Sequence, residues 1–132
     1  MVTRKLQKLQ AAMAEHEGWT RSGAGALDFS SPTMAYRNHN PGNLRSSPFM
    51  LGQSNGFAVF IDDFTGTFAH IFDLWSKCTG KTSTGLGPKS TLADLIHVYA
   101  PPSENNTGAY ILAVEKYTGV PRITPLSYFI KP

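Results

Sequence analysis

Cysteine is almost absent from this chain. Cys78 is the only one, so no disulfide can form within the chain and a cysteine-rich zinc site is excluded. Nothing around it (Ser76-Lys77-Cys78-Thr79-Gly80) matches a nucleophile motif, which leaves a buried or half-buried thiol inside a helix. No apolar run approaches the roughly 18 residues of a membrane span, so membrane insertion is not expected. The N-terminal MVTRKLQKLQ lacks the continuous apolar core of a secretory signal. A target outside the cytoplasm would require delivery by a phage particle, a secretion apparatus, cell lysis or a fusion partner. The histidines (His16, His39, His70 and His97) show neither HExxH nor His-x-His spacing. A zinc peptidase is therefore poorly supported, although distant ligands can converge in a fold. The GKTS string at 80–83 lacks the leading glycine of a phosphate loop. No block of like charge is present beyond Arg4, Lys5 and Lys8, which read as a solvated helix face rather than a DNA-binding arm. No metal, cofactor or nucleic acid is expected, and the chain has no internal repeat and no linker.

What remains is an ordinary globular composition. At 132 residues, the expectation is one domain over 1–132, acting as a monomer, with one core. Hydrophobic content of 41% with 16% charged residues excludes a disordered chain. A net charge of +3 and a pI near 9.1 suit nucleic acid, an anionic polymer such as a cell wall, or no such partner.

The most unusual stretch is RNHNPGNLR at 37–45, with three Asn, a Pro and a Gly between two Arg. Pro41 fixes its own φ, lacks a donor and pushes Asn40 out of the helical region. Gly42 permits a positive φ, and Asn side chains bond nearby backbone in tight turns. A rigid loop crowded with amides and guanidiniums suits a polar, uncharged or anionic ligand such as a sugar. The plainer reading is a β-turn between two elements.

Upstream, residues 3–17 read as a helix, with Thr3 as N-cap and Gly18 as the left-handed residue past its end. Leu6, Leu9 and Met13 mark its apolar stripe. At about 100° per residue, Glu17 continues that stripe while Glu15 falls on the opposite face. One carboxylate thus points toward a core or cleft, the other toward water. Desolvation and the negative end of the helix dipole would both raise the pKa of such a Glu17, as a general acid requires. The alternative is a carboxylate that frays outward past Gly18.

The following segment to Met34 is Gly- and Ser-rich. Trp19 there either stacks on a sugar or, more commonly, seals the core. Residues 44–47 and 56–61 read as two short strands of a hairpin, with turn signals including Asn55-Gly56. Asp62 then caps a helix over 63–79. Its Phe64, Phe68, Ile71, Phe72 and Trp75 follow helical spacing and predict a central buried helix, in which Gly66 allows close packing. A helix over 90–98 with Leu92, Leu95 and Ile96 inward, a break at YAPPSENN, a helix over 107–118 and an extended Pro-containing tail complete the chain. The fold class is mainly α (α+β), with four or five helices and one small β hairpin.

A helix ending in Glu, then a loop, a small hairpin and further helices is the layout of the lysozyme-like superfamily. EHEGW at 15–19, RNHNPGNLR at 37–45, GFAVFIDDFTGTFAHIFDLW at 56–75 and YAPPSENNTGAYI at 99–111 resemble the small phage-type muralytic domains, in particular lytic transglycosylases. The resemblance covers roughly residues 6–118. The chain departs from the pattern at His39, where an Asn is expected, and in its short first helix.

The resemblance implies that Glu17 is the catalytic acid, the residue that the stripe argument also selects. It implies a peptidoglycan-degrading enzyme acting between N-acetylmuramic acid and N-acetylglucosamine of the bacterial cell wall, as a virion or lysis protein. For sugar contacts it points to Asn40, Asn43 and Arg45 in the loop. Tyr99 matches a cleft tyrosine, although a helix-end aromatic sealing the core is equally compatible. Asn105 or Asn106 would line the cleft, or cap the helix that follows. A hydrolase of muramidase type would need a second carboxylate, for which Asp28, Asp62 and Asp63 are the candidates. A non-catalytic wall-binding module would have no use for Glu17 on the stripe.

Overall fold

The computed structural model describes residues 2–19 and 33–132. Among them it forms six helices and one two-stranded antiparallel sheet, a mainly helical α+β fold. The order is α1 (Arg4–His16), α2 (Met34–Arg37), β1 (Gly52–Ser54), β2 (Phe57–Val59), α3 (Asp63–Cys78), α4 (Leu92–Tyr99), α5 (Thr107–Thr118) and α6 (Ser127–Ile130). No described helix is long and apolar enough to cross a membrane. The chain divides into two compact units: Met1–Ala12 with Leu74–Pro132, and Met13–Asp73.

In the first unit, Thr3 caps α1 by accepting the Leu6 amide at 3.0 Å, and its hydroxyl donates to the Phe129 carbonyl. Leu6 and Leu9 are fully buried. A capping box between Thr91 and Asp94 starts α4, whose Leu92, Leu95 and Ile96 are buried. Asn106 caps α5 by accepting the Ala109 amide, and Gly119 ends that helix at φ 72°. The tail is not extended throughout. It pairs back on the start of α4, where Leu92 and Ala93 donate to the carbonyls of Thr124 and Arg122. It then forms α6, which buries Phe129. Pro125 sits at a single bridge to Thr91, an edge position that needs no proline donor.

The second unit holds the end of α1, then α2, the Asn-rich loop, the hairpin and the first part of α3. The hairpin register pairs Gly52 with Val59 and Ser54 with Phe57, so Asn55 and Gly56 form a two-residue turn. Both have positive φ (52° and 81°), as a type I′ turn requires. The expected first strand at 44–47 is displaced to Gly52–Ser54, because the tight turn binds the residues immediately before it. Residue 44 instead meets the middle of β2, its carbonyl accepting the Ala58 amide at 2.9 Å.

The inward face of α3 also differs from expectation. Gly66, Ala69, His70, Leu74 and Cys78 are buried, whereas Phe64, Phe68 and Phe72 are 82%, 44% and 40% exposed. The reason lies in the small residues. A Cβ on Gly66 would fall inside the His39 carbonyl oxygen, and one on Gly42 would lie 2.5 Å from the His70 ring. Backbone of the Asn-rich loop occupies the face of α3 that only glycine leaves open, and the phenylalanines are turned away from it. Phe49 packs edge-on against Phe68 and Phe72, with centroids 5.1 and 5.4 Å apart. Close packing at Gly66 is as expected. The Cys78 thiol is buried in α3, and desolvation pushes its pKa up to about 12.

Candidate functional site

Glu17 is the residue that ends α1. The Gly18 amide donates to the Glu15 carbonyl at 3.0 Å, and the Trp19 amide donates to the Ala14 carbonyl at 2.9 Å. This pair is a Schellman motif with Glu17 as C-cap, Gly18 at φ 85° and Trp19 as its apolar follower. Trp19 is buried and tilts against Tyr36 at 6.1 Å, which puts it in the core rather than on a sugar. Glu15 is exposed and Glu17 half-buried. The two carboxylates differ in burial in the order their helical positions imply.

The turn after Glu17 is tied to α2. Thr33 caps α2 by accepting the Tyr36 amide, and its hydroxyl donates to the Gly18 carbonyl at 3.2 Å. A Cβ at Gly18 would meet the Thr33 methyl at 2.7 Å, so glycine is required there by space as well as by φ. Thr33 was not among the residues singled out from sequence. The signal for it is a Thr immediately before a short helix-forming run.

Helix α2 ends with the same device. His39 and Asn40 donate to the carbonyls of Tyr36 and Ala35, with His39 left-handed at φ 52°. This explains why Asn suits position 39, since a non-glycine residue tolerates that conformation best when it is Asn. The His39 ring instead pairs with Asp63 at 2.5 Å. The left-handed residues of the loop are His39 and Asn43, not Gly42. Gly42 is needed for its approach to His70.

Asn40 is fully buried, which corrects its assignment as a sugar contact. Its Nδ2 donates to the carbonyls of Leu44 and Ala58, and its Oδ1 accepts the Leu44 amide, each at 2.9 Å. Both Nδ2 hydrogens and the Oδ1 are bonded within the protein and the side chain is fully buried, so Asn40 positions the loop on β2 and does not reach a ligand. The Phe60 amide reinforces this by donating to the Asn38 carbonyl. Asn43 has φ 49° and a buried Oδ1 without a hydrogen-bond partner among the described residues. Arg45 is exposed, its guanidinium 4.6 Å from the centre of the Phe57 ring. The two arginines that flank the loop, Arg37 and Arg45, are both exposed.

Glu17, Asn40, Asn43 and Arg45 fall in one unit, and Tyr99 and Asn105 in the other. Tyr99 closes α4, half-buried, with the Lys77 ammonium 5.2 Å from its ring centre. Asn105 is exposed and donates weakly to the Pro101 carbonyl at 3.4 Å, while Asn106 is the cap of α5.

Two of the three candidates for a second carboxylate, Asp62 and Asp63, are engaged elsewhere. Asp62 accepts the Thr65 amide at 2.8 Å and caps α3. That backbone bond, then the side-chain bond to Thr65 and the charge of His39, hold its carboxyl below the usual range. Asp63 pairs with His39. Asp28 lies outside the described residues. Among the described residues, no three of His, Cys, Asp and Glu gather closely enough to hold a metal ion. Compared with known proteins, the chain matches no family model, no curated protein and no solved structure.

Proposed function

We propose that this protein degrades peptidoglycan as a lytic transglycosylase, with Glu17 as its acid and base. The observation that carries the reading is the setting of Glu17: a half-buried carboxylate at the C-cap of α1, in a turn braced through Thr33 to α2 and so to the Asn-rich loop. A backbone-braced turn of this kind is what a positioned general acid needs. In the proposed reaction, Glu17 gives its proton to the glycosidic oxygen between N-acetylmuramic acid and N-acetylglucosamine. The bond from that oxygen to the muramic acid C1 breaks with oxocarbenium character. The muramic acid 6-hydroxyl attacks C1, and its proton returns to the Glu17 carboxylate. The product is a 1,6-anhydro end, and atoms balance without water. The nucleophile belongs to the substrate, so the step has the advantage of an intramolecular reaction and needs only one carboxyl group. This agrees with the commitment of Asp62 to capping and of Asp63 to His39. Arg45 supplies an exposed cation for an anionic or polar glycan group, while Asn40 holds the loop.

The test is a digest of purified peptidoglycan with the parent protein and with Glu17→Gln, the released muropeptides being read by mass spectrometry. Products lighter by one water than reducing-end muropeptides, lost in the variant, are the expected result. Ordinary reducing ends would replace the transglycosylase with a hydrolase. No release by the parent would overturn the enzyme reading for this substrate.

A further inference from the structure

The modest overall charge conceals a segregation. The unit formed by Met1–Ala12 and Leu74–Pro132 carries nine Lys and Arg against three Asp and Glu, whereas Met13–Asp73 carries three against six. The unit that holds Glu17 is therefore net acidic, and the other unit net basic. Within the basic unit the imbalance is sharpest where the ends of the chain meet. Thr3 bonds to Phe129, and the Lys5 ammonium sits 4.2 Å from the centre of the Tyr128 ring. Arg4 and Lys8 are one helical turn apart on the exposed face of α1, Lys5 lies beside them, and Lys131 follows two residues after Phe129. Neither residues 1–12 nor 119–132 contain a carboxylate side chain. The acids of this unit lie elsewhere and are partly used: Glu115 is bound to Arg122, and Asp94 belongs to the capping box of α4.

The placement runs against local stability. The first turn of α1 contains no acidic residue, and its positive dipole end instead faces Arg4 and Lys5. Carboxylates there would favour the helix, so the dipole gives Arg4 and Lys5 no stabilisation at this end. Lys5 sits over an aromatic ring, a contact that steadies the ammonium without neutralising its formal charge.

We infer that the Arg4, Lys5, Lys8 and Lys131 face is an electrostatic docking surface for the anionic polymer of the cell wall, the carboxylate-bearing peptidoglycan itself. This rests on the peptidoglycan reading above and extends it. A net acidic unit offers no overall attraction to a polyanion, so retention on the wall falls to the basic unit. A diffuse set of cations without a fixed bidentate geometry suits a heterogeneous polymer, and the association it drives weakens with salt.

The experiment uses full-length Glu17→Gln, which holds the polymer uncut, and the same protein carrying Arg4→Glu, Lys8→Glu and Lys131→Glu. Sedimentation with purified sacculi is measured across salt concentrations. Duplex DNA and vesicles of an anionic phospholipid serve as competing polyanions. Binding to sacculi is expected to fall roughly tenfold or more on charge reversal, and in the unreversed protein to fall steeply with added salt. Two of the new carboxylates lie in the first turns of α1, so the melting temperature should not fall. A loss of binding with an unchanged melt then reports on the surface and not on folding. Binding to sacculi indifferent to charge reversal or to salt would overturn the inference. So would tighter binding to DNA or to vesicles than to sacculi. Cleavage of short soluble glycan fragments by proteins retaining Glu17, with and without the charge reversals, separates the two claims. Equal cleavage with lost sacculus binding supports both, whereas no cleavage by either removes the enzyme reading and leaves the binding result to stand alone.

Discussion

Gly66 offers a prediction in which two physical arguments give opposite signs. It lies inside α3, where replacing Gly by Ala is normally stabilising by about 1 kcal/mol, because Ala restricts the unfolded chain and favours the helix. In the folded protein, however, the added Cβ would fall inside the His39 carbonyl oxygen and lie 3.1 Å from Cδ of Pro41. His39 cannot easily give way. Its amide is part of the turn that ends α2, and the side chain of the next residue, Asn40, makes three hydrogen bonds within the protein. Overpacking typically costs about 1–3 kcal/mol, and here the obstructing atom is backbone. Loosening the Asn40 bonds adds about 1 kcal/mol for each one lost. After subtracting the propensity gain, Gly66→Ala should destabilise by roughly 2–4 kcal/mol.

Gly108 is the control. It lies in the first turn of α5, exposed, and the nearest atom to an added Cβ is Asn106 Oδ1 at 3.9 Å. Gly108→Ala should therefore stabilise by about 0.5–1 kcal/mol. Urea unfolding of the parent and both variants, followed by far-UV circular dichroism, measures the differences. A Gly66→Ala protein as stable as the parent, alongside a stabilised Gly108→Ala, would refute the close approach of α3 to the loop.

Asn40→Ala removes the partner of the Leu44 amide and one partner of the Ala58 carbonyl, so a loss of about 2–4 kcal/mol is expected in the same urea assay. Asn40→Asp should be at least as harmful at neutral pH, because a carboxylate would then face two carbonyl oxygens. Burial beside those acceptors raises the pKa of such a carboxyl, so this variant should regain stability as the pH falls toward that value. The Cys78 thiol, with its pKa pushed up from 9.0 to about 12, should resist thiol reagents at pH 8 in the native protein and react once urea unfolds it. Its raised pKa means the folded state holds a proton that the unfolded state releases. The corresponding stability is fully present below pH 9.0 and is lost as the pH rises toward about 12. Cys78→Ala should flatten that alkaline decline in melting temperature.

Much of this architecture is legible from local chemistry. The Leu6, Leu9 and Met13 stripe, the Thr3 cap, the left-handed Gly18 and the Asn55-Gly56 turn are each decided within a few residues. Backbone sterics and capping do not depend on distant contacts. The failures lie where distant residues decide. The apolar spacing of Phe64, Phe68 and Phe72 marks a coherent face of α3, but the packed face is the one where Gly66 admits the backbone of residue 39. Hydrophobicity ranks side chains, whereas a close backbone approach selects for the absence of one. The first strand was displaced for a related reason. Residues 44–47 have suitable character, but the register is set from the turn backward, and the Leu44 carbonyl is claimed by Ala58 and Asn40.

Asn40 shows the same limit at the candidate site. An Asn beside Pro and Gly reads equally well as a ligand contact or as an internal clamp, because both use the same amide. Only burial separates them, and burial depends on β2, which lies some twenty residues downstream. The correction changes what mutational evidence can mean. Loss of activity on replacing Asn40 would report a displaced loop, not a lost sugar contact. Glu17 differs in this respect. The two bonds that define its turn are donated by the backbone amides of Gly18 and Trp19, and the accepting carbonyls belong to Glu15 and Ala14. Neither bond uses the side chain at position 17. Glu17→Gln keeps the shape and removes the transferable proton, so the turn and its brace to Thr33 should persist in the variant. A change in product chemistry in Glu17→Gln is therefore read against a turn whose two defining bonds are made by backbone alone.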